Sequence, residues 1–299
     1  MTRPRSEIVD RENGGFYHLG ARCVRRAMLC GKDPVTKRDL SHRRAWIEKL
    51  MLELAELFTV HVNEYAVMSN HYHITVDYCP QERFDLSDDE VARRWLRVYP
   101  PSDPEDLEDR VAGLVDDPDR IAVLRDRLGD LSWYMARLNE TVARLANKED
   151  GCTGRFWEGR FKSKGLPDER SVWACMAYDA LNPVRAGMAE RIDAPQHTGL
   201  GRRLEEAAEE PARLDEPLAP LVLRDGRVAS ARPPARALEL TLREYRDHVE
   251  WTLGHQRPKA TEARAPPRLG DSKSWLALVA SFRQRTMAPS VPRWVQAIA

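Results

Sequence analysis

The chain has no Cys-x-x-Cys pair; its five cysteines (Cys23, Cys30, Cys79, Cys152 and Cys175) are scattered and odd in number. That pattern argues against a disulfide framework and a thiolate zinc site, and it fits a reducing cytosol. Net charge is also missing, because 47 Lys and Arg balance 47 Asp and Glu. Nothing global therefore draws the chain to nucleic acid or membrane, and only a local basic surface would serve phosphate contacts. No apolar run reaches bilayer-spanning length. The segment Met1 to Gly14 is charged and has no apolar h-region, so no secretory signal is expected. No internal repeat is visible. These absences leave a soluble, cytoplasmic protein, and 299 residues are enough for one large domain or two modest ones.

What the chain does have is Val67-Met68-Ser69-Asn70-His71-Tyr72-His73-Ile74-Thr75-Val76. β-Branched and aromatic residues fit a pleated surface, so His71 to Asp77 is expected to be a strand. Alternate residues on a strand share a face. His71, His73 and Thr75 then point one way, and Tyr72, Ile74 and Val76 point into the core. Two imidazoles on one face, roughly 7 Å apart at Cα, can converge on one metal ion, and imidazole suits several divalent metals. A third ligand has to come from elsewhere. An isolated His-x-His is more often a half-exposed pair that ligates nothing, because short motifs match by chance.

Around this stretch, Gly15 to Val24 is expected to form a first strand opened by Gly14-Gly15. His18 on it could face an active site, but a surface histidine is the preferred reading. Ser41 is a candidate N-cap for a helix running to about Phe58, with Trp46, Ile47, Leu50, Leu54 and Leu57 as its core stripe. Val60 to Met68 is expected to pair with the His strand as an antiparallel hairpin. From 81 to 130 acidic residues outnumber basic ones, with helical patches at Asp88 to Val98 and Ile121 to Leu128. This segment is expected to be an insertion turned away from any nucleic acid. Leu131 to Ala146 is a further helix.

Gly154 to Lys164 interleaves four basic residues (Arg155, Arg160, Lys162, Lys164) with Phe156, Trp157 and Phe161. Cations contact phosphates and aromatic faces stack on unpaired bases, but an ordinary amphipathic strand gives the same pattern. Asp168 to about Leu181 is a helix with acidic residues in its first turn and an apolar ridge of Trp173, Ala177, Ala180 and Leu181. Tyr178 and Asn182 lie off that ridge and, at i and i+4, share a face. Pro183 is expected to end the helix at Asn182. A nucleophile and a metal ligand presented together is one reading; an Asn-Pro stop with an incidental tyrosine is the other. Residues 201–237 are rich in Glu, Ala, Pro and Arg and are expected to be a linker. Two helices, Thr241 to Leu253 and Ser272 to about Arg285, would make an accessory region over 238–299.

Taken together, MSNHYHITV, FWEGRFKSK and YDALNPVRAG resemble the REP-associated tyrosine transposases, single-tyrosine HUH nucleases related to small insertion-sequence transposases. RCVRRAMLCG (Arg22 to Gly31) is similar to the N-terminal part of that branch. The similarity covers about residues 14 to 200. Two departures are Met68-Ser69, where many relatives have Met-Pro, and the longer acidic insertion.

The resemblance implies an α+β, ferredoxin-like HUH nuclease fold over residues 1–200: a central antiparallel sheet flanked by helices, with a C-terminal helical extension. It also implies Tyr178 as nucleophile and His71, His73 and Asn182 as ligands of Mg²⁺ or Mn²⁺. The implied substrate is single-stranded or hairpin DNA, contacted by Arg155, Arg160, Lys162, Lys164 and Arg185, with Phe156 or Trp157 as a stacking platform. A transposase of this kind is an endonuclease and strand transferase acting in DNA recombination, nucleoid-associated in the cytoplasm, as a monomer or homodimer. A free tyrosine titrates near pH 10, so only about one in a thousand is phenolate at neutral pH without activation. Two other readings remain open: a hairpin-DNA-binding protein with an idle nuclease site, and a metal-dependent hydrolase that uses water and leaves Tyr178 without a role.

Overall fold

Three strands whose residues alternate between two different surroundings build the centre of the molecule. In the computed structural model the described residues are 8–24, 29–33, 37–193, 197–231, 237–255, 266 and 268–286. Strand β1 (Gly15–Arg22) pairs antiparallel with β3 (His71–Tyr78), and β3 pairs antiparallel with β2 (Val60–Val67). The β2–β3 hairpin turns at Ser69-Asn70, where the Met68 N–H donates to the His71 carbonyl at 2.8 Å. On the other side of β1 lies β4 (Lys162–Leu166). The order β4-β1-β3-β2, with helix α1 (Arg43–Leu57) between β1 and β2, is the split βαβ arrangement of ferredoxin-like folds.

One face of this sheet is hydrocarbon. Tyr17, Leu19, Tyr72, Ile74 and Val76 meet Ile47, Met51 and Leu54 of α1 there. They also meet Tyr134, Leu138 and Val142 of α5 (Leu131–Glu149). The acidic segment folds as α2 (Asp88–Val98), α3 (Leu107–Val115) and α4 (Pro118–Leu128), and its Val91, Trp95, Val111 and Leu124 join the same core. It sits on the side of the sheet away from His71 and His73. The α1 cap differs from expectation: the N-cap is His42, with no side-chain hydrogen bond, rather than Ser41.

The opposite face is covered by α6 (Glu169–Arg185), which is buried at every residue from Ser171 to Leu181. The helix passes through Pro183 instead of ending at Asn182. The proline costs a backbone bond and crowds its predecessor, but Pro183 is itself buried and packing from two sides outweighs that cost. The second layer of packing comes from the C-terminal part of the chain.

Residues 201–237, expected to be a linker, contain ordered structure among those described. Helix α7 (Gly199–Glu209) occupies the Glu/Ala run, whose residues are good helix formers. A hairpin of β5 (Leu221–Arg224) and β6 (Arg227–Ser230) then extends the sheet to six strands beyond β2. Asp225 and Gly226 turn it with φ of 50° and 78°, the left-handed pair that a two-residue hairpin loop needs. Helices α8 (Leu242–His255) and α9 (Ser272–Thr286) appear where helices were expected. They do not stand apart: Tyr245, Val249, Trp275, Val279 and Phe282 share one core with α6. Tyr245 also donates to Glu64 of β2 at 2.8 Å. Arg25, Arg26 and the Pro/Arg run 232–236 lie outside the described residues.

Candidate active site

Strand register assembles the site. Arg22 pairs with His71, Gly20 with His73 and His18 with Thr75 across β1 and β3. On β4, Lys162 pairs with Gly20 and Lys164 with His18. Partners across a ladder share a face, so two lysines, one arginine and three histidines line the surface that α6 crosses.

His73 is fully buried at its centre. Its ring stacks on His18 at 5.0 Å, with 17° between the planes, and meets His71 edge-on at 4.9 Å. The Tyr178 ring stands edge-on at 5.6 Å from His73 and 6.0 Å from His18. Close approach of β1 makes this possible: a Cβ on Gly20 would lie 2.9 Å from the Tyr72 carbonyl oxygen and 3.5 Å from His73 Nδ1. Neither ring nitrogen of His73 has a hydrogen-bond partner, and neither does Nδ2 of Asn182, one turn beyond Tyr178.

Burial, followed by the charges of Arg22 and Lys162, pushes the His71 imidazole down to about 3. Burial likewise holds His73 well below its ordinary value, reinforced by His71 and His18. Both rings are therefore neutral near pH 7, the form that ligates metal. His71 Nδ1 lies 2.6 Å from Asn70 Oδ1, which places its proton on Nδ1 and leaves Nε2 unprotonated.

His71 and Tyr178 thus both meet His73, and Asn182 follows Tyr178 one turn later on α6. Tyr178, expected to stand off the core ridge, is only 4% exposed, because Phe282 of α9 covers it at 6.0 Å between ring centroids. Arg185 sits 5.5 Å from the Tyr178 ring, and burial lowers its guanidinium to about 10 despite the attraction of the tyrosine. Lys164 Nζ lies 3.9 Å over the Phe282 ring.

The aromatic–basic stretch divides differently from expectation. Phe156 and Trp157 are buried in the α1-side core, where Trp157 meets Tyr72 at 5.7 Å and donates to the Asn139 carbonyl at 2.8 Å. They offer no surface for stacking bases, because the apolar side of this loop is spent on the core. Arg155 is exposed but folded onto its own loop, donating to the carbonyls of Trp157 and Glu158. Arg160 is exposed, and only Lys162 and Lys164 lie on the strand beside the site.

The residues missed in the sequence are His18, Gly20, Arg22, Asn70, Asp179 and Phe282. His18 is fully buried rather than on the surface, and its Nε2 lies 3.0 Å from Asp179 Oδ1. A signal for Asp179 was present: it is the sole charged residue between Val172 and Leu181. Two groups of three residues among those described are spaced to hold a metal: His18, His73 and Asp179, and separately His61, Cys79 and Glu82. In the first group His18 Nε2 and Asp179 already bond each other, while His18 Nδ1 and both nitrogens of His73 are without a partner.

No protein-family model and no curated protein matches the chain. Among solved structures, it is similar at 13% identity to the "REP associates tyrosine transposase bound to a REP hairpin". That match has a TM-score of 0.41 and covers 69% of this chain and 87% of the other. No helix of the described residues is long and apolar enough to cross a membrane.

Proposed function

We propose that this chain is a metal-dependent nuclease and strand transferase for single-stranded or hairpin DNA, with Tyr178 as nucleophile and His71, His73 and Asn182 as metal ligands. One observation carries the reading: the Tyr178 ring is packed on a fully buried imidazole, His73, whose two nitrogens have no partner among the described residues. A buried polar group left unpaired costs about 1–3 kcal/mol, and a ligated cation removes that cost. Neutral imidazoles suit several divalent transition metals, and an amide oxygen suits Mg²⁺ or Mn²⁺. Bound there, the cation would polarise a phosphate and stabilise charge on its oxygens.

The chain's own residues supply the rest. The Tyr178 oxygen forms a bond to phosphorus and the bond to the 3′ oxygen of the preceding nucleotide breaks. A 5′-phosphotyrosine and a free 3′-hydroxyl result, and the stored ester lets a second strand be joined without another energy source. Arg22, Lys162, Lys164 and Arg185 place positive charge around that phosphate, while Arg160 and Arg155 are more distant contacts. A cytoplasmic, nucleoid-associated location goes with this reading. The cover of Phe282 over Tyr178 favours a second one, a hairpin-binding protein whose nuclease site stays closed.

The test is a denaturing gel after incubation with labelled single-stranded hairpin DNA from the gene's flanks, with and without Mn²⁺. The expected result is a metal-dependent covalent protein–DNA band that disappears in Tyr178→Phe. Cleavage that survives Tyr178→Phe would assign water as the nucleophile. Binding without cleavage across several hairpins and metals would leave the closed reading.

A further inference from the structure

We infer that the buried unit His18–Asp179–Thr75 is a positioning device that sets the rotation of α6, and with it the placement of Tyr178 against His73. The inference rests on the nuclease reading above. Asp179 is held at both oxygens: Oδ1 lies 3.0 Å from His18 Nε2 on β1, and Oδ2 accepts from Thr75 Oγ1 on β3 at 2.8 Å. Thr75 also reaches Cys175 Sγ, one turn earlier on α6, at 3.2 Å. One helix is therefore tied at two successive turns to two adjacent strands.

The geometry gives the tie its consequence. Successive residues of an α-helix are about 100° apart, so a helix clamped at Asp179 has the direction of Tyr178 fixed as well. A rotation by one residue would carry the phenol away from His73. Apolar packing alone tolerates such sliding better than two directional hydrogen bonds do. His18 adds a second contact, since its ring forms the wall on which both His73 and Tyr178 rest.

Stability does not account for this unit. The side chains of His18 and Asp179 are wholly buried, and His18 Nδ1 has no partner. Replacing both partners of a buried hydrogen-bonded pair by apolar residues of similar shape is often neutral or stabilising. A polar arrangement that is costly at the centre of a core, beside a nucleophile, points to a role in function.

The experiment compares wild type with Asp179→Leu, Asp179→Asn and Thr75→Val. Three quantities are read: the rate of Tyr178–DNA adduct formation at saturating hairpin DNA, the DNA dissociation constant, and binding of Mn²⁺ alone by the resonance signal of free Mn²⁺. Asp179→Leu is expected to slow the adduct roughly 10- to 100-fold and to weaken Mn²⁺ binding several-fold. DNA affinity should hold, while the melting temperature should fall, because His18 and Thr75 lose their buried partner. Asp179→Asn keeps an acceptor for His18 and lets the Thr75 hydroxyl turn round, so it should restore most of the rate. Thr75→Val removes the ties to Asp179 and Cys175 without changing size and should cost about 2- to 5-fold. A folded Asp179→Leu with wild-type rate and Mn²⁺ affinity overturns the inference, as does Thr75→Val at wild-type values if Asp179→Leu does not fold. A wild type that forms no Tyr178-dependent adduct instead overturns the nuclease reading, and Mn²⁺ binding then decides the positioning role separately.

Discussion

The two faces of the sheet are built on different terms. Towards α1 and α5, the buried polar groups include tyrosines whose hydroxyls find partners: Tyr65 on Glu48, Tyr72 on Asn139, Tyr78 on the Gly129 carbonyl, Tyr134 on the Met51 carbonyl. Towards α6 the same strands bury His18, His73, Thr75 and, from the helix, Asp179. Unpartnered atoms remain there on His18, His73 and Asn182. The tyrosine hydroxyls of the first face are satisfied within the protein, whereas on the second face ring and amide nitrogens have no partner among the described residues.

The sharpest way to break the comparison is to make equivalent changes on neighbouring residues of β3. His73→Leu should lower adduct formation on the order of 10³-fold yet leave the melting temperature unchanged or higher, since two unpaired buried nitrogens are removed. Ile74→Ala points to the other face and should do the reverse, destabilising by about 2–5 kcal/mol with the adduct rate of the folded fraction retained. Denaturant unfolding and single-turnover gels on the two variants are sufficient. If both lose stability alike, the division of labour between faces is wrong.

Metal gives a milder probe of the same contrast. An ion that binds the folded chain alone stabilises it by about 2.7 kcal/mol at a hundred times its dissociation constant. Mn²⁺ should therefore raise the melting temperature of wild type by several degrees, an effect lost in His73→Leu and kept in Ile74→Ala. A wild-type shift that survives His73→Leu would move the ion elsewhere, with the His61, Cys79 and Glu82 group as the first place to look.

Much of this was legible from local pattern. Period-two alternation identified β3 and the direction of its histidines, and helical spacing identified α2, α5, α8 and α9 close to their observed bounds. Register across strands was not legible, and that is why His18 was taken for a surface residue. Its role follows from lying opposite Thr75, which no periodicity within β1 reveals. The 201–237 segment was misread because Glu/Ala composition suits a solvated tether and a helix equally, although Asp225-Gly226 between two short apolar runs was a readable hairpin signal. Phe156 and Trp157 failed for a related reason: aromatic residues interleaved with basic ones look the same whether the rings face DNA or a core.

The smallest effect expected concerns the cover on the second face. Phe282 is 1% exposed and touches Tyr178, His18 and Lys164, so its ring shields the Tyr178 ring. Phe282 lies near the end of α9, whereas Trp275 and Val279 anchor the helix in the core. Changing Phe282 alone should thus open the site without releasing the helix. Phe282→Ser is expected to raise nitration of Tyr178, read by peptide mass spectrometry, by a few-fold, with a loss of about 3 kcal/mol or less in stability. If displacement of Phe282 limits the reaction, adduct formation should speed up by a similar factor. More nitration with no adduct at any metal concentration would favour the closed DNA-binding reading. Unchanged nitration would mean that the cover is not Phe282, and that β4 with Lys162 and Lys164 shields the phenol instead.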